Sequence, residues 1–260
     1  DLKKYKCTGF AGVPSHFQIL LKKSKNFKNT DFPDLRYVTQ AGGKLHNIFI
    51  DEFVEAFPKI EFFVMYGQTE ATARLSYLPP SMIRKKKGSI GKGIPGVSLK
   101  IVNNYGHVVN SGEEGELMAK GENIMIGYYK DPEETKKAII DGWLCTGDIA
   151  VADNDGYLYL MARKKEIIKV GGKRVSPKEI EEVILSVSEV VDCTISGVED
   201  DILGEAIKAV IVLNGPMDQQ AMKDKILLRC SEKLSLYKIP QQIEFESNIS
   251  VNSTGKKIKK

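Results

Sequence analysis

Several protein classes are excluded by what this sequence lacks. No window of the 260 residues approaches the ~18 consecutive apolar residues that a membrane-spanning helix needs. Asp1 to Lys6 is charged and no apolar leader follows it, so no secretory signal is expected. There are only four cysteines, Cys7, Cys145, Cys193 and Cys230, spaced too far apart for a Cys-x-x-Cys metal pair or a dense disulfide framework. They are expected to be reduced thiols in a cytoplasmic protein. The three histidines, His16, His46 and His107, are isolated in the chain and are expected to be structural or exposed. The single tryptophan, Trp143, is expected to serve packing. The net charge is only +4, and much of the excess lies in Lys256, Lys257, Lys259 and Lys260. Nucleic-acid binders carry basic residues interleaved with aromatics over one face, so no nucleic-acid partner is expected. What is present, 42% hydrophobic and 28% charged residues, is ordinary for a globular protein.

The first third has an α/β pattern. Leu35 to Gln40 is strand-like and ends in Ala41-Gly42-Gly43. Leu45, Ile48, Phe49, Phe53 and Ala56 then recur at helical spacing, and a second apolar run, Ile60 to Met65, ends in Tyr66-Gly67-Gln68-Thr69-Glu70. Strand, helix and strand within about thirty residues predict parallel strands joined by a right-handed crossover. Both loops would then share the carboxyl-terminal sheet edge, where open α/β sheets bind ligands. From Lys87 to Leu160 short strand-like runs, among them Val97–Val102 and Gly115–Ala119, alternate with glycines, predicting a small distorted barrel or sandwich. Arg84 to Lys87 has the composition of a solvated loop.

The last hundred residues predict a compact α+β lobe. Ser176-Pro177-Lys178-Glu179 has the form of a capping box with proline at the first helical position. Ile180, Val183, Ile184 and Val187 make one apolar stripe, and Met222, Ile226, Cys230 and Leu234 mark a second helix. Val191–Ile195 and Ala206–Leu213 are strand candidates. The expected division is 1–162, made of an α/β part (1–84) and a β-rich subdomain (85–162), followed by a small mobile domain over 163–260.

Four segments together carry a resemblance: Tyr66-Gly67-Gln68-Thr69-Glu70; Gly142 through Asp148; Arg163 through Gly172 and on to Glu181; and Ser253-Thr254-Gly255-Lys256. Gly115-Glu116-Leu117 and Gly127-Tyr128-Tyr129 add to it. In order and spacing they resemble the adenylate-forming superfamily of acyl-CoA synthetases, luciferases and peptide-synthetase adenylation domains. That resemblance implies a partial adenylate-forming fold and activation of a small-molecule carboxylate by ATP as its acyl-AMP. Transfer to CoA, or to the phosphopantetheine of a carrier protein, would follow. The family's Ser/Thr/Gly-rich phosphate loop has no counterpart here. The chain is therefore expected to lack the amino-terminal half of a parent enzyme and to be inactive alone, or else to act as a non-catalytic nucleotide-binding module.

The resemblance also implies roles for individual residues. Glu70 would bind Mg²⁺, which prefers oxygen ligands, and Thr69 would donate to the α-phosphate. Tyr66 would stack on adenine, with Gly42, Gly43 and Gly67 letting backbone approach the nucleotide. Asp148 would clamp the ribose hydroxyls, and Arg163 would bind ribose or phosphate. Lys165 occupies the hinge position between domains. Gly171 and Gly172 would line the thiol tunnel, with Lys169 supporting that second conformation. Lys256 would bridge the substrate carboxylate and the α-phosphate as a flexible point charge. Taken alone, Glu70 would be a solvated helix-start acid, Tyr66 an ordinary core aromatic, Asp148 a turn aspartate and Lys256 part of a basic tail; the co-occurrence of the motifs outweighs that.

Overall fold

The computed structural model describes residues 1–24 and 26–249, which divide into two compact units. Of the described residues, the first contains 1–14, 28–45 and 53–164; the second contains 15–24, 26–27, 46–52 and 165–249.

In the first unit, strands Gly9–Gly12, Tyr37–Gln40 and Glu61–Tyr66 lie side by side and parallel. The expected pair of parallel strands is therefore present, with a further strand outside it. The helix between the last two strands spans Asn47–Ala56. Alternation along Glu61–Tyr66 places Phe62, Val64 and Tyr66 on the buried face. Phe62 meets Phe53 of that helix edge-on, with ring centroids 5.1 Å apart.

The β-rich segment does not close into a separate barrel or sandwich. Ser76–Leu78 pairs antiparallel with Glu61–Tyr66, and Ser89–Gly93 pairs with Ser76–Leu78. The sheet then continues through Leu158–Arg163, Trp143–Ala152 and Gly115–Lys120 to Ser98–Val102 at its far edge. The segment is thus an antiparallel extension of the parallel sheet. Gly91 sits where the extension is tightest: its φ is +81°, and a Cβ there would lie 1.7 Å from the Tyr77 carbonyl oxygen. One core, including Tyr66, Leu75, Leu117, Leu144 and Leu158, runs beneath both parts. Lys86 departs from a solvated loop, since it pairs with Asp153 at 2.7 Å and with Asp155, and lies over the Tyr157 ring. Trp143 packs partly buried, with the Lys100 ammonium 4.1 Å from its ring centroid.

In the second unit, Gly204–Leu213 runs antiparallel to Val190–Asp200 and parallel to Gln242–Phe245. Ile168–Val170 and Lys173–Val175 form a hairpin whose first strand pairs with the start of Gly204–Leu213 at Gly204. The helices Pro177–Leu185 and Gln219–Lys233 bury Ile180 and Ile184, and Met222, Ile226 and Cys230, of the expected stripes; Val183 is half-buried, and Val187 and Leu234 fall past the helix ends. Pro177 opens its helix, but the capping box does not form: Ser176 makes no side-chain cap. Glu179 instead meets Lys238 at 2.6 Å, so a distant cation takes the carboxylate that the local motif assigned to the helix end. His46 is not isolated in space. It is buried, with Nε2 3.3 Å from Glu181 and Nδ1 3.0 Å from Glu182. Fully buried Glu181 also pairs with Lys178 at 2.7 Å; burial pulls the lysine pKa down, but Glu181 together with the Glu166 charge leaves the net shift upward.

Candidate nucleotide site

The first unit brings together two motifs that lie 82 residues apart. Glu61–Tyr66 delivers Tyr66 at its carboxyl end, and the buried alternation of Trp143–Ala152 delivers Asp148. The Tyr66 hydroxyl donates to Asp148 Oδ2 at 2.6 Å. Arg163, register partner of Asp148 on the neighbouring strand, donates from Nε to Oδ1 at 2.9 Å. Asp148 is only 5% exposed, whereas the Arg163 side chain is half-exposed. The carboxylate is therefore gripped from both sides, with its cationic partner at the solvent side. Burial, reinforced by the neighbouring Asp148 charge, pushes the Tyr66 phenol far above its ordinary pKa, which keeps it a neutral donor to Asp148.

Tyr66-Gly67 leads into a short turn, Thr69–Ala71, in which Thr69 is exposed and Glu70 partly exposed. The chain's own backbone leaves no room for a side chain at Gly67: a Cβ there would lie 2.4 Å from the Ala73 carbonyl oxygen. Glu70 Oε1 accepts from the Tyr128 hydroxyl at 2.8 Å. Burial and the Glu70 charge push Tyr128 up to about 12. After the parallel strand Tyr37–Gln40, Gly42 takes a left-handed φ of +82°, and Gln40 Nε2 donates to the Gly43 carbonyl at 2.6 Å.

Among the described residues, no group of three or more His, Cys, Asp and Glu side chains is placed to hold a metal ion. A lone carboxylate at Glu70, with the Thr69 hydroxyl next to it in the chain, nevertheless fits Mg²⁺, which is typically held by one or two carboxylates together with substrate phosphates.

Lys165, Lys169, Gly171 and Gly172 lie in the second unit. Lys165 is exposed in the single turn Lys164–Glu166. Gly171 and Gly172 have φ of +55° and +79° and form the two-residue turn of the hairpin. The Lys169 amide donates to Glu205 at 2.7 Å. Lys256, with Ser253-Thr254-Gly255, lies outside the described residues. Sequence reasoning missed Asn123, which braces the Glu70 turn, and gave no role to Tyr128 beyond its glycine-tyrosine motif. The only sequence signal was the nearness of Asn123 to that motif.

Known proteins resemble this chain over nearly its whole length. The AMP-binding enzyme family matches residues 1–129, and the AMP-binding enzyme C-terminal domain matches residues 179–256. A long-chain-fatty-acid–CoA ligase of Salmonella typhimurium is 37% identical over 257 residues, 98% of this chain and 45% of that protein. The crystal structure of the anthranilate CoA ligase AuaEII with anthranoyl-AMP superposes with a TM-score of 0.91 at 30% identity, covering 98% of this chain and 49% of that one. The o-succinylbenzoate CoA synthetase MenE of Bacillus subtilis, solved with ATP and magnesium, gives a TM-score of 0.83 at 30% identity, covering 98% and 51%. The chain belongs to the AMP-binding enzyme family, and its fold is a partial adenylate-forming fold. It spans about half the length of the relatives it matches.

Proposed function

We propose that this chain is the nucleotide-clamping and domain-rotating part of an AMP-forming acid–thiol ligase. The ligase joins a carboxylate to the α-phosphate of ATP and then passes the acyl group to CoA. The observation that carries the proposal is the buried Asp148 carboxylate, fixed by Tyr66 at 2.6 Å and Arg163 at 2.9 Å. A carboxylate held in this way accepts hydrogen bonds from ribose hydroxyls without reorganising. Tyr66 is proposed to meet adenine only with what its 8% exposure leaves free, while its hydroxyl serves Asp148. Gly42, Gly43 and Gly67 shape the loops that border the nucleotide. Thr69 donates to the α-phosphate, and Arg163 holds ribose or phosphate from the solvent side.

Glu70 would hold Mg²⁺, which when bound offsets phosphate charge. Lys256 neutralises charge between the attacking carboxylate and the α-phosphate. The small domain is proposed as residues 163–260 with Lys165 as hinge, Gly171 and Gly172 at the thiol's path, and Lys169 supporting that second arrangement. Related ligases named for CoA favour CoA as the acceptor over a carrier protein, and the cytoplasm is the proposed compartment. A second reading, a nucleotide-binding module without catalysis, draws on the absence of a Ser/Thr/Gly-rich phosphate loop from these 260 residues.

ATP–pyrophosphate exchange driven by a panel of carboxylates tests the proposal, on this chain and on the protein expressed with any coding sequence upstream of Asp1. Exchange is expected from the longer form, with Lys256→Ala lowering it by roughly 10²–10³-fold, the loss typical of one preorganised charge-stabilising group. No exchange from the longer form with any carboxylate favours the non-catalytic reading.

A further inference from the structure

The turn that carries Glu70 is held from outside. Two non-glycine residues immediately after it, Thr72 and Ala73, sit in the left-handed region with φ of 51° and 61°. Such conformations persist only when the surroundings over-determine them, and here the segment from Asn123 to Tyr128 does so. Asn123 Nδ2 donates to the carbonyls of Ala71 at 3.1 Å and Arg74 at 2.7 Å, while its own carbonyl accepts from Thr72 Oγ1 at 2.8 Å. The Met125 amide donates to the Glu70 carbonyl at 2.7 Å. The segment is itself anchored, since the Tyr128 amide donates to Thr135 Oγ1 at 2.8 Å on the helix Pro132–Ala138. Its last contact reaches the side chain: the Tyr128 hydroxyl donates to Glu70 Oε1 at 2.8 Å.

Backbone bracing alone would serve the turn's conformation. A hydroxyl that fixes one carboxylate oxygen does something further, because it selects the rotamer and presents Oε2 in one direction. We infer that Tyr128 is a positioning residue that orients Glu70 for the divalent metal of a metal–ATP complex. The inference rests on the proposed role of Glu70 as metal ligand. Its chemistry is that of an outer partner: the neutral phenol leaves Glu70 its full negative charge while removing its rotational freedom.

The test compares affinities for ATP in EDTA and in Mn²⁺, by calorimetry, on the protein expressed with any coding sequence upstream of Asp1. The ratio of the two dissociation constants is the metal enhancement. Tyr128→Phe keeps the ring and is expected to reduce the enhancement about tenfold, the lower end of what outer partners contribute, with affinity in EDTA unchanged within about twofold. Glu70→Gln is expected to abolish the enhancement. An enhancement retained in Tyr128→Phe but lost in Glu70→Gln overturns the inference and leaves the Glu70 role standing. An enhancement retained in Glu70→Gln, or absent from the unsubstituted protein, removes the metal role of Glu70 and the inference with it. Equal weakening of both affinities in Tyr128→Phe reduces the residue to a strut and also overturns it.

Discussion

Replacing Tyr66 by phenylalanine removes one oxygen and tests whether the ring and the hydroxyl have separate duties. The ring stays in the core beneath the sheet, where Tyr66 is 8% exposed. The lost bond is short, 2.6 Å, and ends on a buried carboxylate. Hydrogen bonds to charged groups contribute ~1.5–3 kcal/mol net, more than neutral ones, because the acceptor loses more when left short of a donor. Arg163 still holds Oδ1, but its half-exposed side chain compensates only in part. A loss of ~2 kcal/mol in stability is therefore expected by urea unfolding. The binding consequence is more selective. If Asp148 grips the ribose, loosening it should weaken AMP about tenfold, ~1.4 kcal/mol. The same substitution should change 2′,3′-dideoxy-AMP by less than about twofold, since that ligand lacks the hydroxyls that a carboxylate accepts from. Titration calorimetry with both ligands gives the comparison. Equal weakening of the two nucleotides, or no weakening of AMP, would refute the assignment of Tyr66 to Asp148 and of Asp148 to ribose.

Two further substitutions probe other parts of the chain. Gly91→Ala puts a methyl 1.7 Å from the Tyr77 carbonyl oxygen at a φ of +81°. It should cost about 4 kcal/mol or more, or prevent folding, because both the backbone conformation and the space are denied; a folded variant within ~1 kcal/mol of the parent by urea unfolding would contradict the sheet extension described above. Glu189 is held down to about 2, chiefly by its bond to Lys225 and then by Ser188. An unfolded glutamate titrates near ~4.3, so the folded state binds fewer protons between those values and stability rises with pH across that window. The difference in acid stability between the parent and Glu189→Gln should be constant above about pH 5 and shrink towards pH 2, and added salt should reduce it. A difference independent of pH over that range would show that the Lys225 pair contributes nothing.

The parts of this fold that follow from local physics were legible in the chain. The 3.6-residue stripe of Met222, Ile226 and Cys230 appears as the buried face of Gln219–Lys233 because one helix face is all that such spacing can bury. The loops after Gln40 and Tyr66 fall on one sheet edge because parallel strands leave no alternative. What failed was local logic applied where a distant partner competes. Ser176 and Glu179 satisfy the capping-box pattern, yet Glu179 lies with Lys238, 59 residues away, because a cation offers the carboxylate more than a backbone amide does. Lys86 belongs to a polar stretch by composition, but Asp153, Asp155 and the Tyr157 ring surround it. The same asymmetry governs the site. Motif spacing identified Tyr66, Glu70, Asp148 and Arg163 as members of one family pattern, but no spacing rule states which of them touch. Asp148 meets Arg163 because adjacent antiparallel strands put them in register, and Tyr66 meets Asp148 across 82 residues. Asn123 and Tyr128 reach the Glu70 turn across 52 and 58 residues. That turn is in effect a shared product of two stretches of chain: one supplies the carboxylate, and the other forces the left-handed residues that follow it. A site assembled this way has its ligating residues written in its motifs, but the residues that aim them follow only from the sheet that brings those stretches together.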